Sequence, residues 1–574
     1  MKKLLSFLLA CALVLSLAAC GADQPGSTTP SGTTPGNNPS EGVSGGTATS
    51  VTYWMDPQNM SANTVSSFND QEAWKLYEKN LGIDIIWQEP PSGQAGEQFN
   101  LIISTTNLPD IMYYSWSTAY PGGPDAAIAD GKIIALNDYI EEYAPNFYAY
   151  LEAHPDVRQE ITTDSGNIYC FPAVYTYTSE SSPVWQNAID REPYQESFIG
   201  LVIRQDLLDQ AGLPMPETLD DWYNTLVKFK EMGIEYPFST MAAFMTMAQV
   251  FNTAYDISVP IVGMGMGMAM AGSAFTLTDS GEIVYGPATD EYKEYLSFLH
   301  RLYDEGLLDH DFMVQDRTTL ATKVINGQVG AWVEMMPTGL GNLKAQVLAI
   351  DPDSPFNPVG ALAPVQVKGQ QLTYKQGSPA YTGSGAAITT SCEDIITACK
   401  VLDYGWSEEG NRILNWGIEG VSYEFVDGWP KLTDAIIHND QGLLPSEAFS
   451  LYRNLNGPYP MDHSQRLESK RDYSLAAGET DQNLASLDLW SSSANGLRAV
   501  GLPTTTMLAE ESAAYANSFN EVCTYAEEMF AKFVMGTESL DKYEDYQKNL
   551  NALGLQTVLD LQAGALVRYN ERIK

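Results

Sequence analysis

Residues 199–233 read IGLVIRQDLLDQAGLPMPETLDDWYNTLVKFKEMG. Ile199 to Ile203 is a short unbroken apolar run, the pattern of a strand covered on both faces. Asp206 is placed to cap a helix that ends at Gly212. Thr218 then caps a longer helix, in which Leu219, Trp222, Tyr223, Leu226 and Phe229 share one face and Gly233 is the terminator. A strand feeding capped amphipathic helices is the unit of an α/β protein.

The same alternation extends outward. Val51-Thr52-Tyr53-Trp54 reads as a strand, Gln71 to Asn80 as a helix stopped at Gly82, and Ile83 to Trp87 as a second strand. Phe99 to Ser104 reads as a helix, and Leu108 to Tyr113 leads into a third strand. Further on, Asp290 to Tyr303 carries Tyr292, Tyr295, Leu296, Leu299 and Leu302 at helical spacing. Cys392 to Tyr404 is another helix, and Ser539 caps a last long one running to Gly554. Trp74, Trp222 and Tyr295 fall on apolar helix faces and are expected in cores. Arg204, beside Asp206, is expected to form a structural ion pair.

The chain has 574 residues, of which 44% are hydrophobic, so it can build large cores and more than one compact unit. Its 31 Lys and Arg face 72 Asp and Glu, a net charge of −41. That balance argues against nucleic acid and anionic membrane surfaces as partners, since both need a basic face that 31 spread-out cations do not supply.

Lys2 and Lys3 precede a mostly apolar stretch, Leu4 to Ala19, too short to span a bilayer and suited to a signal peptide over residues 1–19. It ends Leu17-Ala18-Ala19-Cys20-Gly21, which resembles the lipobox of bacterial lipoprotein precursors, so Cys20 is the expected lipidated first residue of the mature chain. Losing residues 1–19 removes Lys2 and Lys3 and leaves a charge of −43. Residues 20–50 are rich in Gly, Pro, Ser and Thr without apolar periodicity, the composition of a flexible tether. The expected location is the outer face of the cell membrane, held by lipid alone.

Catalytic and cofactor motifs are missing. There is no HExxH, G-x-S-x-G elbow between a strand and a helix, P-loop or EF-hand signature, and the five histidines are scattered. Cys170, Cys392, Cys399 and Cys523 make no CxxC pair and read as buried free thiols. Met264, Met266, Met268 and Met270 alternate in a Gly-rich run, a spacing open to Cu(I) but more simply a soft apolar loop. Neither a cofactor nor a metal is expected.

The order of the remaining segments resembles the family-1 extracellular solute-binding proteins of bacterial ABC importers, especially long sugar-type lipoproteins. Leu108-Pro109-Asp110-Ile111 is similar to the family's "LPDI" strand, and Gly131 to Ile140 to its "G-I-I-x-L-N-D-Y-I" segment. Ile203 to Thr218 is similar to "R-x-D-x-L-x-x-A-G-L-x-x-P-x-T", and Asn326 to Ala331 to "NGKAAM". Trp406 to Gly410 and Asn415 to Gly420 match "x-S-E-E-G" and "N-x-G-I-E-G". The resemblance implies an α/β fold of two lobes, periplasmic-binding-protein-like of the class II type, with a ligand cleft between them. The expected lobes are 51–171 with 337–403, and 172–336 with 404–574.

For a sugar ligand, flat aromatic platforms beside carboxylates and amides are the groups to seek, because sugars present hydroxyls around apolar C–H faces. Candidates at strand ends are Trp54 and Asp56; Tyr114 and Trp116; Tyr175 and Tyr177; and Trp332 and Glu334. Trp416, Glu419 and Tyr423 lie in or just after the NWGIEG segment, where Gly417 would let a ligand approach the backbone. Core packing is the competing reading for each aromatic. The expected function is a monomeric, non-catalytic binding protein that captures an oligosaccharide and delivers it to an ABC permease. The competing functions are binding of another solute, such as a peptide or lipid precursor, and a surface glycan-degrading enzyme.

Overall fold

The computed structural model describes residues 48–57, 65–91, 94–176, 199–248, 250–260, 262, 274–278, 280–335, 340–370, 381–426, 429–443, 445–454, 456–462, 485–486, 489–490 and 502–572. The leader, Cys20, the tether up to residue 47, Tyr177 and the run 264–270 lie outside them.

Two sheets organise the described chain. The first is built from β1 (Ser50–Trp54), β2 (Asp84–Gln88), β3 (Ile111–Tyr114), β4 (Phe171–Thr176), β11 (Tyr381–Ile388) and β14 (Pro460–Asp462), in the order β14-β4-β11-β3-β1-β2. The second contains β5 (Ile199–Arg204), β6 (Tyr236–Ser239), β9 (Val329–Met335) and β10 (Pro358–Ala361), in the order β10-β5-β9-β6. Two small antiparallel pairs complete the strands: β7 (Phe275–Leu277) with β8 (Ile283–Tyr285), and β12 (Tyr423–Val426) with β13 (Trp429–Leu432).

Local signals set the helices of the first lobe. Glu72–Leu81 ends where Gly82 adopts φ +67°, and the Gly82 N–H returns to the Glu78 carbonyl at 2.8 Å. Its buried face, Ala73, Trp74 and Tyr77, packs on the first sheet. Burial of large side chains of this kind contributes about 1.5–3 kcal/mol each. Ala95–Ile103 starts earlier than the sequence suggested and buries Phe99.

In the second lobe β5 alternates strictly. Ile199, Leu201 and Ile203 join the core with Trp222, Leu226 and Phe229, while Val202 joins the opposite core with Trp332 and Trp490. Both faces are covered, which is why the sequence reads as one apolar run. Thr218 and Asp221 form a reciprocal capping box, with hydrogen bonds of 3.0 and 3.1 Å, at the start of Leu219–Glu231. Asp206 does not cap its helix. Arg204 is the N-cap, and the Asp206 carboxylate accepts from Arg204 Nε at 2.7 Å and from the Asn357 N–H at 3.1 Å. The competing partners lie close by, so the expected ion pair forms and the cap does not.

Three observations move the lobe limits away from Phe171, Pro337 and Tyr404. β4 continues past Pro172, because it pairs with β11 and β14. Leu340–Ile350 and β10 still belong to the second lobe, with Leu340, Leu343 and Val347 in a core beside Trp332. Beyond Tyr404, Ile413, Leu414, Tyr459 and Met461 are in the first lobe's core. The described chain thus lies in the first sheet up to β4, stays with the second from β5 to Gln370, where Val365 pairs with Thr218 and Gln370 donates to the Ala254 carbonyl, and returns to the first sheet for β11 and β14. Beyond β14, Trp490 lies on Gly200 and its Nε1–H donates to the Leu201 carbonyl at 3.0 Å. A Cβ at Gly200 would come within 2.5 Å of that indole.

The C-terminal helices also differ from expectation. Ala509–Val534 is a long helix, and Ser539 caps only a short turn before Tyr543–Ala552. Gly554, at φ +103°, ends that element and starts Leu555–Tyr569. Phe519, Phe530, Tyr546 and Val558 bury against the second lobe. Among the described residues no helix is long and apolar enough to cross a membrane, and no cluster of three His, Cys, Asp or Glu could hold a metal. Cys170, Cys392 and Cys399 are buried free thiols, and Cys523 is half-buried. Burial pushes the Cys399 thiol up to about 12.

Candidate functional site

Strand directions define one edge of each sheet. β1, β2, β3, β4 and β14 run the same way, and antiparallel β11 begins where they end. In the second sheet β6, β9 and β10 end at the edge where β5 begins. The first crossing joins the end of β4 to the start of β5; the second joins the end of β10 to the start of β11; the third leaves from the end of β14. The gap the crossings span is bounded by carboxyl-terminal strand edges, the usual place for a ligand in an open α/β protein.

On the first lobe this edge carries an aromatic group. Trp54 closes β1 and meets Tyr114, at the end of β3, edge-on with centroids 5.5 Å apart. Tyr114 stacks on Phe99 at 4.4 Å, and Trp54 lies 6.2 Å from Phe99. Trp54 is buried, whereas Tyr114 is half-buried. Partial burial, and secondarily the charge of the nearby buried Asp56, raise the Tyr114 phenol above its usual range. The hydroxyl lies over Gly96, where an added Cβ would sit at 3.4 Å. Ser115 and Ser384 share a 2.8 Å hydroxyl hydrogen bond beside it. Tyr175, half-buried, sits on β4 opposite Met461 of β14.

Trp116, one turn further on, faces inward. It is fully buried, its Nε1–H donates to the Met112 carbonyl at 3.2 Å, and its ring meets Phe99 at 5.1 Å. The start of the helix Trp116–Ala119 turns it under the sheet edge.

The second lobe offers a different chemistry. Trp332 is fully buried in the core on one face of β9, 6.4 Å from Phe356. Glu334 is also buried; it accepts from the Met335 N–H at 3.0 Å and from Arg317 Nη2 at 3.3 Å. Burial raises its carboxyl above the usual range, against the pull of Met335 N–H and Arg317. The Arg317 side chain is 43% exposed, so part of its guanidinium faces solvent. At the end of β6, Ser239 donates to Asp309 Oδ2 at 2.6 Å, Lys323 Nζ binds the same oxygen at 2.6 Å, and Gln315 bridges Ser239 and the Thr240 carbonyl. Sequence reading missed Arg317 and this network, because each pair closes between different elements, 14 to 76 residues apart, with no local spacing to mark it.

The NWGIEG segment forms neither strand nor platform. Ser407 caps the helix Glu408–Trp416, and Trp416 is its last residue, 2% exposed. Its ring packs with Tyr423 at 5.9 Å and Phe449 at 6.1 Å, in a cluster with Leu432, Ile436 and Ala448. Gly417 takes φ +85°, and the place of its Cβ is occupied by the Tyr452 carbonyl at 2.5 Å and Ser422 Oγ at 2.6 Å. The small residue makes room for the chain itself, not for a ligand. Glu419 is exposed in the turn, where the Gly420 N–H reaches the Tyr423 carbonyl at 2.7 Å. Burial pushes the Tyr423 phenol up to about 12. The structure thus brings Trp54, Asp56 and Tyr114 together, and separately Trp416 and Tyr423.

Comparison with known proteins places these features in context. The chain is 25% identical over 280 residues to the fructooligosaccharide ABC transporter substrate-binding protein FusA of Streptococcus pneumoniae, and the match covers 46% of each chain. It therefore spans less than half the length of that relative. It is 26% identical over 422 residues to lipoprotein LipO of Bacillus subtilis, covering 71% of this chain and 74% of that one. In structure it resembles an HMO-binding, ABC-transporter-associated solute-binding protein of Bifidobacterium longum infantis, with a TM-score of 0.69 at 16% identity over 91% of this chain and 99% of that one. The model of the bacterial extracellular solute-binding proteins matches residues 64–412, more than half of the chain, and the protein belongs to that family.

Proposed function

We propose that the protein is a lipid-anchored, extracellular substrate-binding subunit that captures an oligosaccharide between its lobes and passes it to an ABC permease. The observation that carries this reading is the Trp54–Tyr114–Phe99 group beside Asp56, at the strand edge bounding the gap. A half-buried ring backed by two others is a rigid surface for a sugar's C–H face, and a carboxylate and two serines beside it suit hydroxyls. The name of FusA supports a saccharide ligand, that of LipO supports lipidation at Cys20, and the family supports binding without catalysis.

The charge pattern favours a neutral ligand. Glu334 is tied to Arg317 and Asp309 to Lys323, while the whole chain carries −41. A uronate would approach against that field, which salt screens beyond ~8 Å. Titrating the purified protein with neutral fructooligosaccharides and with oligogalacturonates, read by calorimetry and melting temperature, tests this. A neutral glycan should bind and raise the melting temperature without new reducing ends. Binding of none of these, or of uronates alone, would overturn it, and release of reducing ends would make the protein an enzyme. Cys20→Ala should release the protein into the medium; persistent labelling with a fatty acid would refute the anchor.

A further inference from the structure

Among the described residues, a further link joins the lobes besides the crossings. The helices Ala509–Val534 and Leu555–Tyr569 run antiparallel, with Gly554 beside Ser518 and Arg568 beside Glu511. Their middles are buried in the second lobe, but the start of the first and the end of the second reach the first lobe. There, Asp164 accepts from Arg568 Nε at 2.7 Å and from Arg572 Nε at 2.8 Å. Glu160 accepts from the Tyr569 hydroxyl at 2.7 Å and from the Thr504 N–H at 3.1 Å, and Gln159 donates to the Tyr569 carbonyl at 3.0 Å. Val157 and Ile161, flanking these acceptors, are in the first lobe's core, so the contact is anchored on both sides.

The network is buried at Arg572 and Asp164 and about one-fifth exposed at Arg568 and Glu511. The Arg572 side chain is 1% exposed and that of Asp164 is 9% exposed. Arg572 also donates to Thr506 Oγ1 at 2.8 Å and to the Thr504 carbonyl at 3.2 Å, and Arg568 Nη2 binds Glu511 Oε2 at 2.7 Å. Sliding the lobes past each other here would strip the buried Arg572 and the partly exposed Arg568 from one carboxylate, an unfavourable step. A rotation centred on the contact displaces these atoms least, because all the bonds lie between 159–164 on one side and 504–506 and 568–572 on the other. We infer that Asp164, gripped by Arg568 and Arg572, is the pivot about which the lobes open and close, an inference that rests on the two-lobe binding reading. Asp164 is a positioning residue, since it acts on the arrangement of the lobes and not on the ligand.

The test uses ligand-free protein, so it succeeds or fails independently of whether a sugar binds. In Asp164→Asn, amide exchange at 502–511 and 566–572 should become roughly tenfold faster or more, as loss of hydrogen bonds to a charged group requires. The radius of gyration should rise while the amides of β1 and β5 keep their protection. Asp164→Glu should restore much of both, and the milder Tyr569→Phe should shift exchange at 159–164 in the same direction even if Asp164→Asn does not fold. Unchanged exchange and scattering in the variants would overturn the pivot. Loss of protection throughout both lobes would overturn it too, by making the network a general stabiliser.

Discussion

Trp54 and Trp416 pose the same problem in two settings. Each ends a secondary-structure element and has a carboxylate close behind it in sequence, Asp56 in one case and Glu419 in the other. Trp54 ends a strand whose neighbours β2 and β3 stop at the same edge, so Tyr114, at the end of β3, meets it edge-on there and stays half-buried. Trp416 ends a helix packed on Glu72–Leu81, and Tyr423, Phe449 and the Gly417 turn close over it. Strand ends in a shared sheet gather side chains from distant segments at one open edge. A helix end packed into its own small cluster spends its ring on holding that cluster.

The largest expected effect separates the two settings. Trp416→Ala should destabilise the ligand-free protein by about 3–5 kcal/mol, the cost of deleting a buried aromatic, with affinity for the bound glycan little changed. Denaturant unfolding measures the first and calorimetry the second. A normal melting temperature with lost affinity would return Trp416 to the cleft.

Tyr114→Ala should act the other way. Flat ligands stacked on aromatic rings lose about 1–3 kcal/mol on removal of the ring, so glycan affinity should fall by that amount while stability changes less than for Trp416→Ala. Intact affinity would show that Tyr114 only supports Trp54 and Phe99, and would dissolve the contrast.

The smallest effect sharpens the charge argument at the second lobe. Glu334 has a carboxyl raised by burial, so the folded protein holds its proton to higher pH than the unfolded chain does. Its contribution to stability is then greatest at low pH and is lost as pH rises from the usual 4.5 through the raised value, where a desolvated charge must be carried. Glu334→Gln should flatten that part of the stability–pH curve. An unchanged slope would mean that Arg317 already compensates the charge in full.

Much of the fold was legible. The Gly82 and Gly212 stops and the Thr218 cap are as expected, because each depends on residues within a few positions of one another, and β5 shows its two-sided burial as an unbroken apolar run. The reading failed where a distant partner intervened. Asp206 is drawn from capping by Asn357, β4 is carried past Pro172 by β11 and β14, and the helix expected to run to Gly554 breaks into shorter pieces. The site was legible in residue types but not in orientation: Trp54, Trp116, Trp332 and Trp416 all looked alike as tryptophans near element ends.

Sequence by itself determined the α/β class, the family, and which short segments become strands and helices, since capping, glycine conformation and apolar period are decided by neighbours along the chain. Tertiary structure alone decided which rings are buried and which stay half-buried at the sheet edge, which strands share a sheet, and that Asp164 meets Arg568 and Arg572. Those outcomes depend on segments brought together from far along the chain, as Trp490 is laid on Gly200 and Tyr452 behind Gly417. No local pattern encodes such a meeting, because burial of a side chain is a property of the whole packed core and not of its position in the sequence.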